Sequence, residues 1–126
     1  MSLRVLLDSH VLLWALIGSA KLSRKALGII HQAPEVYVSA ASAWELAIKA
    51  ALGKLRTPGD LEEEVRRSGF LPLAVTFAHA AAAAKLPLLH RDPFDRMLVA
   101  QASVESLTLL TSDSRLKAYS DAVMLA

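Results

Sequence analysis

The residues with chemistry to offer are acids at the ends of predicted elements. Asp8 closes a short apolar run, Leu3 to Leu7. Glu45 lies in Ser42-Ala43-Trp44-Glu45, and Asp95 in His90-Arg91-Asp92-Pro93-Phe94-Asp95-Arg96. Asp113 follows the run Leu107 to Thr111. The chain has no cysteine, which excludes disulfides and thiolate metal sites, and no His or Cys cluster offers a zinc site. No Gly-rich loop has P-loop spacing. Four carboxylates in one crevice would repel one another, and without a partner some would take up protons. The economical partner is a hard divalent cation, since Mg²⁺ and Mn²⁺ take oxygen ligands. Such an ion activates water and neutralises a phosphoryl transition state. An all-carboxylate site therefore points to phosphate-ester or phosphodiester chemistry.

Whether the acids meet depends on the elements that carry them. Asp92 is a good N-cap, and Pro93 suits the first helical position. Asp95 then meets the positive end of the helix dipole. Leu98, Val99 and Ala102 share its helical face, so this carboxylate looks inward. Burying it is costly unless something pairs with it.

The other segments alternate. A strand over 3–7 leads to a helix capped by Asp8 or Ser9 and ended by Gly18. A helix from Ser23 to His31 follows, then a β-branched and aromatic strand over 35–39. Ser42 and Glu45 have capping-box spacing, which predicts a helix from there to Gly53 with Glu45 in its first turn. Ile48 and Leu52 on the same face predict that Glu45 leans toward the core. Helices are predicted over 60–68 and 76–85, with a strand over 70–74 that Pro72 demotes to an edge. A strand over 107–111, a short helix over 114–118 and a strand over 122–125 close the chain.

Short apolar strands alternating with helices predict an α/β fold. Its central parallel sheet has four or five strands, with helices on both faces. No repeat or linker divides residues 1–126, which are read as one domain. In such a sheet the strand ends that carry the acids share one edge, where ligands bind as the strand order reverses.

Composition narrows the class. Of 126 residues, 54% are hydrophobic and 21% charged, which excludes a disordered chain. No apolar run reaches the ~20 residues of a membrane span. The start, Met1-Ser2-Leu3-Arg4, lacks a signal-peptide layout, so a cytoplasmic setting is expected. The net charge of +2 allows a nucleic-acid partner without requiring one.

Each acid also has a structural reading. Asp8 caps a helix, Glu45 is the return arm of a capping box, Asp95 complements a dipole, and Asp113 is a turn residue. For Asp92 the cap is the favoured reading. What these separate readings leave unexplained is why four acids fall on one edge.

The blocks Leu6-Leu7-Asp8-Ser9-His10-Val11-Leu12-Leu13-Trp14, Ser42-Ala43-Trp44-Glu45-Leu46-Ala47-Ile48-Lys49, His90 to Ala102 and Leu109-Leu110-Thr111-Ser112-Asp113 follow one another in a specific order and spacing. Together they resemble the PIN domain, and within it the VapC-type toxins of toxin–antitoxin pairs. The resemblance covers essentially the whole chain. It implies a metal-dependent ribonuclease in which Asp8, Glu45, Asp95 and Asp113 form the acidic quartet. Asp8 and Asp95 would be the firmest Mg²⁺ (or Mn²⁺) ligands, Glu45 would hold a water or a second ion, and Asp113 would complete the shell. Thr111 would bond one of the carboxylates, with Ser9 and Asp92 in support. The implied reaction is in-line hydrolysis of an RNA phosphodiester, leaving a 5′-phosphate and a 3′-hydroxyl. The implied partners are a cognate antitoxin and a second copy in a homodimer.

RNA needs cations near such a pocket. Arg91, Arg96, Lys49, Lys54 and Arg56 flank the motif blocks and are the candidates. Arg96 and Lys49 could instead pair with Asp92 or Glu45. His10 and His90 are read as structural neighbours of the motif, and Trp14 and Trp44 as core or interface packing. The apolar surplus predicts an exposed apolar patch, with Trp14, Leu22 and Leu27 as a contact surface. Rival readings are weaker. A non-catalytic Mg-binding receiver-like module wants paired acids by the first strand, and a phosphatase wants a second acid where His10 stands. An inert antitoxin-binding paralogue has no need of the whole quartet.

Overall fold

The computed structural model describes residues 3–126, so Met1 and Ser2 of the N-terminal stretch lie outside it. Five strands form one all-parallel sheet: β1 (Val5–Leu7), β2 (Val36–Ser39), β3 (Leu71–Leu73), β4 (Thr108–Thr111) and β5 (Val123–Leu125). Their order is β3-β2-β1-β4-β5. The helices are α1 (Ser9–Ile17), α2 (Arg24–Gln32), α3 (Ala40–Ala51), α4 (Leu61–Arg67), α5 (Phe77–Lys85) and α6 (Pro93–Glu105). A 3₁₀ helix, Ser114–Tyr119, joins β4 to β5. The expected α/β architecture is the one observed. Pro72 lies in edge strand β3, as its missing N–H requires.

β1 is the centre, with Val5, Leu6 and Leu7 wholly buried. Its alternation divides the core. Val5 and Leu7 pack with Val11, Leu12, Ala26, Ile30, Leu46 and Val65 from α1 to α4. Leu6 packs with Leu98, Val99 and Ala102 of α6 and with Leu116. No helix among the described residues is long and apolar enough to cross a membrane.

Side-chain caps turn strand ends into helix starts. Asp8 accepts from Val11 N–H at 2.8 Å, and Asp92 accepts from Phe94 N–H at 2.8 Å and Asp95 N–H at 3.2 Å. Gly18, at φ +66°, ends α1 in the left-handed conformation that glycine tolerates.

The predicted start of α3 is corrected. Ser39, the last residue of β2, caps the helix by accepting from Ala41 N–H at 3.0 Å. The chain thus enters α3 without a loop, and Glu45 sits in the second turn rather than the first. Ser42 is no cap: it is buried, and its hydroxyl has no hydrogen-bond partner among the described residues. Glu45 is buried, but Ile48 and Leu52 are exposed. The inward face of α3 is Ala41, Ser42, Glu45 and Leu46. A capping box does form at Thr76, where His79 takes the place of the usual glutamate.

Candidate active site

The strand order reverses at β1, with β2 on one side and β4 on the other. Brought to the C-terminal edge of these strands are Asp8 directly after β1, Asp113 two residues past β4, Glu45 from α3 and Asp95 from the first turn of α6. All four line one pocket of about 140 Å³, together with Ser9, His10, Lys49, Asp92, Ser112 and Arg115.

Each carboxylate is held differently. Asp8 is only 5% exposed. Its Oδ1 accepts from Val11 N–H, and its Oδ2 accepts from the Thr111 hydroxyl and from Ser112 N–H at 3.2 Å. Burial pushes its pKa above the usual carboxylate value, against the opposing pull of these bonds. Thr111 Oγ1 in turn accepts from Asp113 N–H at 3.0 Å, so one hydroxyl ties two acids together. Glu45 accepts from Ser9 Oγ at 2.5 Å and from Lys49 Nζ at 2.8 Å.

Asp95 faces His90 Nε2 at 2.9 Å. Burial raises its pKa, the His90 bond opposes this, and the charges of Asp92 and Glu45 add to the rise. Asp113 pairs bidentately with Arg115, Oδ2 to Nη2 at 2.8 Å and Oδ1 to Nε at 3.0 Å. That guanidinium holds its pKa below the usual value. Asp113 Oδ2 also lies 3.8 Å from His90 Nε2. One ligand atom each from His90, Asp95 and Asp113 fall within 4.8 Å of one another.

The charges do not balance evenly. Lys49 matches Glu45, and Arg115 matches Asp113. Asp8 and Asp95 have no lysine or arginine partner among the described residues. These two are the carboxylates that burial pushes up. A donor set of carboxylate oxygens around two unmatched acids, one buried and one half-buried, fits a hard divalent cation.

The sequence matches the PIN domain family over residues 5–122. The chain belongs to that family. It is 37% identical to Ribonuclease VapC22 of Mycobacterium tuberculosis, with 91% of each chain covered. Ribonuclease VapC16 of the same organism is 46% identical over 50 residues, 36% of each. Among solved structures, a toxin–antitoxin complex from Klebsiella pneumoniae superposes with a TM-score of 0.70 at 17% identity, covering 96% of both chains. VapBC2 from Rickettsia felis, bound to a DNA fragment from their promoter, gives 0.69 at 14% identity, covering 98% of both. At such identities the structures establish a shared fold.

In this PIN domain the remaining predicted residues take separate places. Asp92 both caps α6 and borders the pocket. Of the five predicted cations, Lys49 alone lines the pocket. Arg91, Lys54 and Arg56 are exposed and do not line it.

Arg96 does not reach the pocket either. Its guanidinium donates to the carbonyls of Ala83, Leu86 and Pro87 at 3.0–3.1 Å and to the Tyr119 hydroxyl at 3.2 Å. Bonds to carbonyls that end α5 and form the following loop make it a brace, not a phosphate ligand. It pairs with neither acid, whereas Lys49 does pair with Glu45.

Two residues that contact the acids escape the sequence pattern. His90, expected only as a structural neighbour of the motif, sets its ring nitrogen against Asp95, while its backbone N–H donates to the Tyr119 hydroxyl at 2.9 Å. Arg115 gave one signal, its place two residues past Asp113 at a helix start. The expected apolar patch exists, but centred on Trp44, which is 64% exposed and so is not core. Trp44 packs edge-on against Phe94 at 5.3 Å, in a groove shared with Val75 and Met97. Leu27 is exposed as expected, while Leu22 packs against the core.

Proposed function

We propose that this chain is a divalent-metal-dependent endoribonuclease of the toxin–antitoxin kind, restrained by a cognate antitoxin. The observation that carries it is the unmatched pair at the switch point of the sheet, the buried Asp8 and the half-buried Asp95. Similarity to a ribonuclease along nine-tenths of the chain supports the same reading.

Asp8 and Asp95 would hold Mg²⁺ or Mn²⁺, with Glu45 and Asp113 completing the site. When bound, the cation supplies a Lewis acid for phosphate oxygens and a more acidic water. The chain's own residues fix the ligands. Thr111, Ser112 N–H and Val11 N–H fasten both oxygens of Asp8, so its carboxylate cannot rotate away. Ser9 and Lys49 orient Glu45, and His90 orients Asp95. Water attacks in line, leaving a 5′-phosphate and a 3′-hydroxyl. The protein acts in the cytoplasm as a homodimer, and the apolar groove at Trp44 offers a surface for its protein partners.

The test is cleavage of RNA by the purified chain in Mg²⁺ or Mn²⁺, with EDTA and Asp95→Asn as controls. Cutting should be lost in both. Asp95→Asn cutting as fast as wild type would remove the acids from the reaction.

A further inference from the structure

The acidic pocket must admit a polyanion. A site that only repelled RNA until its metal arrived would bind substrate poorly, because phosphate contacts supply most of the affinity for nucleic acid. Of the five cations that sequence spacing puts forward, Arg96 is taken up by carbonyls and three others lie away from the pocket. Two cations do border it: Lys49 from α3, which follows β2, and Arg115 from the 3₁₀ helix, which follows β4. Since β2 and β4 flank β1, these two stand on opposite sides of Asp8.

Arg115 is held as a receptor would be. Nε and Nη2 bind the two oxygens of Asp113 at 3.0 and 2.8 Å, which fixes the plane of the guanidinium. Nη1 makes no hydrogen bond among the described residues, and the side chain is 70% exposed. Its outward donors therefore face solvent at the pocket rim. A planar fork, pre-oriented and always charged, suits a phosphate oxygen better than a free lysine does. Lys49 is fixed likewise by Glu45 across the pocket.

We propose that Arg115 is a substrate-binding residue that grips an RNA backbone phosphate at the rim, with Lys49 as its counterpart on the opposite wall. This rests on the ribonuclease reading and adds to it where the RNA backbone lies. The strand runs across the end of β1, from the α3 wall to the wall after β4. Asp113 then has two tasks: it borders the metal site and aims the arginine.

The test measures binding of a short fluorescein-labelled single-stranded RNA of mixed sequence by anisotropy, across a series of salt concentrations. Ca²⁺ replaces Mg²⁺, since its looser oxygen coordination fills an acidic site without the octahedral geometry Mg²⁺ demands. Wild type, Arg115→Gln, Asp113→Asn and the double variant form a cycle. If Arg115 grips one phosphate, its loss lowers the slope of log affinity against log salt by about 0.7, both with Asp113 and with Asn at that position. In steady-state cleavage, KM should rise about tenfold while kcat holds, since the contact is made before and during the reaction alike.

Two results would overturn the proposal. One is a double variant that binds like wild type, which would mean that Arg115 only masks Asp113. The other is Arg115→Gln with an unchanged salt slope. If wild type neither bound nor cut RNA, the ribonuclease reading itself would fall, whereas wild-type cutting with an indifferent Arg115 removes this inference alone.

Discussion

Among the described residues, two polar clusters each set a histidine against a carboxylate. His79 Nε2 meets Glu105 Oε2 at 2.8 Å, and His90 Nε2 meets Asp95 Oδ2 at 2.9 Å. The pairs look alike, but their surroundings differ. Around His79 the bonds close on themselves. Nδ1 accepts from Thr76 N–H at 3.0 Å, which leaves Nε2 to donate to Glu105. Gln101 Nε2 lies 3.3 Å from both His79 Nδ1 and the Ala74 carbonyl. One orphan remains, Gln101 Oε1. There is one acid, and it is partly exposed. Around His90 the acids outnumber the cations, and two of them, Asp8 and Asp95, have no lysine or arginine partner among the described residues. A histidine–carboxylate pair therefore carries little information by itself. The charge left over around it is what separates a site from a brace.

The largest expected effect breaks the comparison on the acidic side. Asp8→Asn or Asp95→Asn should each lower RNA cleavage about 10³-fold, since a bound metal supplies several kcal/mol of transition-state stabilisation. Thermal unfolding in EDTA should show that both variants stay folded. His79→Ala should do the opposite. It empties a fully buried site and strands the Thr76 N–H, costing about 2–3 kcal/mol in urea unfolding while leaving kcat unchanged. Equal losses of activity in the two kinds of variant would erase the distinction.

A smaller effect concerns pH. The folded pKa of Asp8 is raised above its ordinary value of 3.8, chiefly by burial. Its ionised form is therefore less favoured in the folded state than in the unfolded state. Any stability tied to the protonated form is complete below the unfolded value and is lost as pH climbs through the folded one. In EDTA, the stability of Asp8→Asn relative to wild type should rise with pH across that interval and then level off. Mg²⁺ should stabilise wild type and leave the variant unmoved. A relative stability that stays flat with pH would show that the Thr111 and backbone bonds fully offset the burial.

How much of this was legible in the sequence follows from how far each signal had to reach. The sheet, its buried centre at Val5 to Leu7 and the Asp92–Pro93 helix start were readable because cap chemistry and apolar alternation are local. Asp8, Asp95 and Asp113 were readable because each follows a strand or opens a helix, and a parallel sheet gathers those ends; Glu45 joins them from one turn further into α3. The start of α3 misled, since Ser39 and Ser42 both offer caps and only the strand boundary chooses between them. The role of Arg96 was hidden because its partners are backbone carbonyls from residues 83–87, which no side-chain pattern marks. His79 gave no sign either, because its capping box uses a ring nitrogen where the familiar pattern has a carboxylate.

The smallest expected effect tests whether the His79 cluster needs a charge at all. Glu105 is 41% exposed, so solvent screens its ion pair with His79. Glu105→Gln keeps an oxygen that can accept from Nε2 and removes only the charge. If hydrogen bonding closes this cluster, the variant should lose less than about 0.5 kcal/mol in urea unfolding, with kcat and the Mg²⁺ dependence of cleavage unaltered. A loss of the size expected for His79→Ala would mean that charge, not bond closure, holds the α5–α6 junction. The two histidine–carboxylate pairs would then differ only in where they sit on the sheet, and charge balance would no longer distinguish the site from the brace.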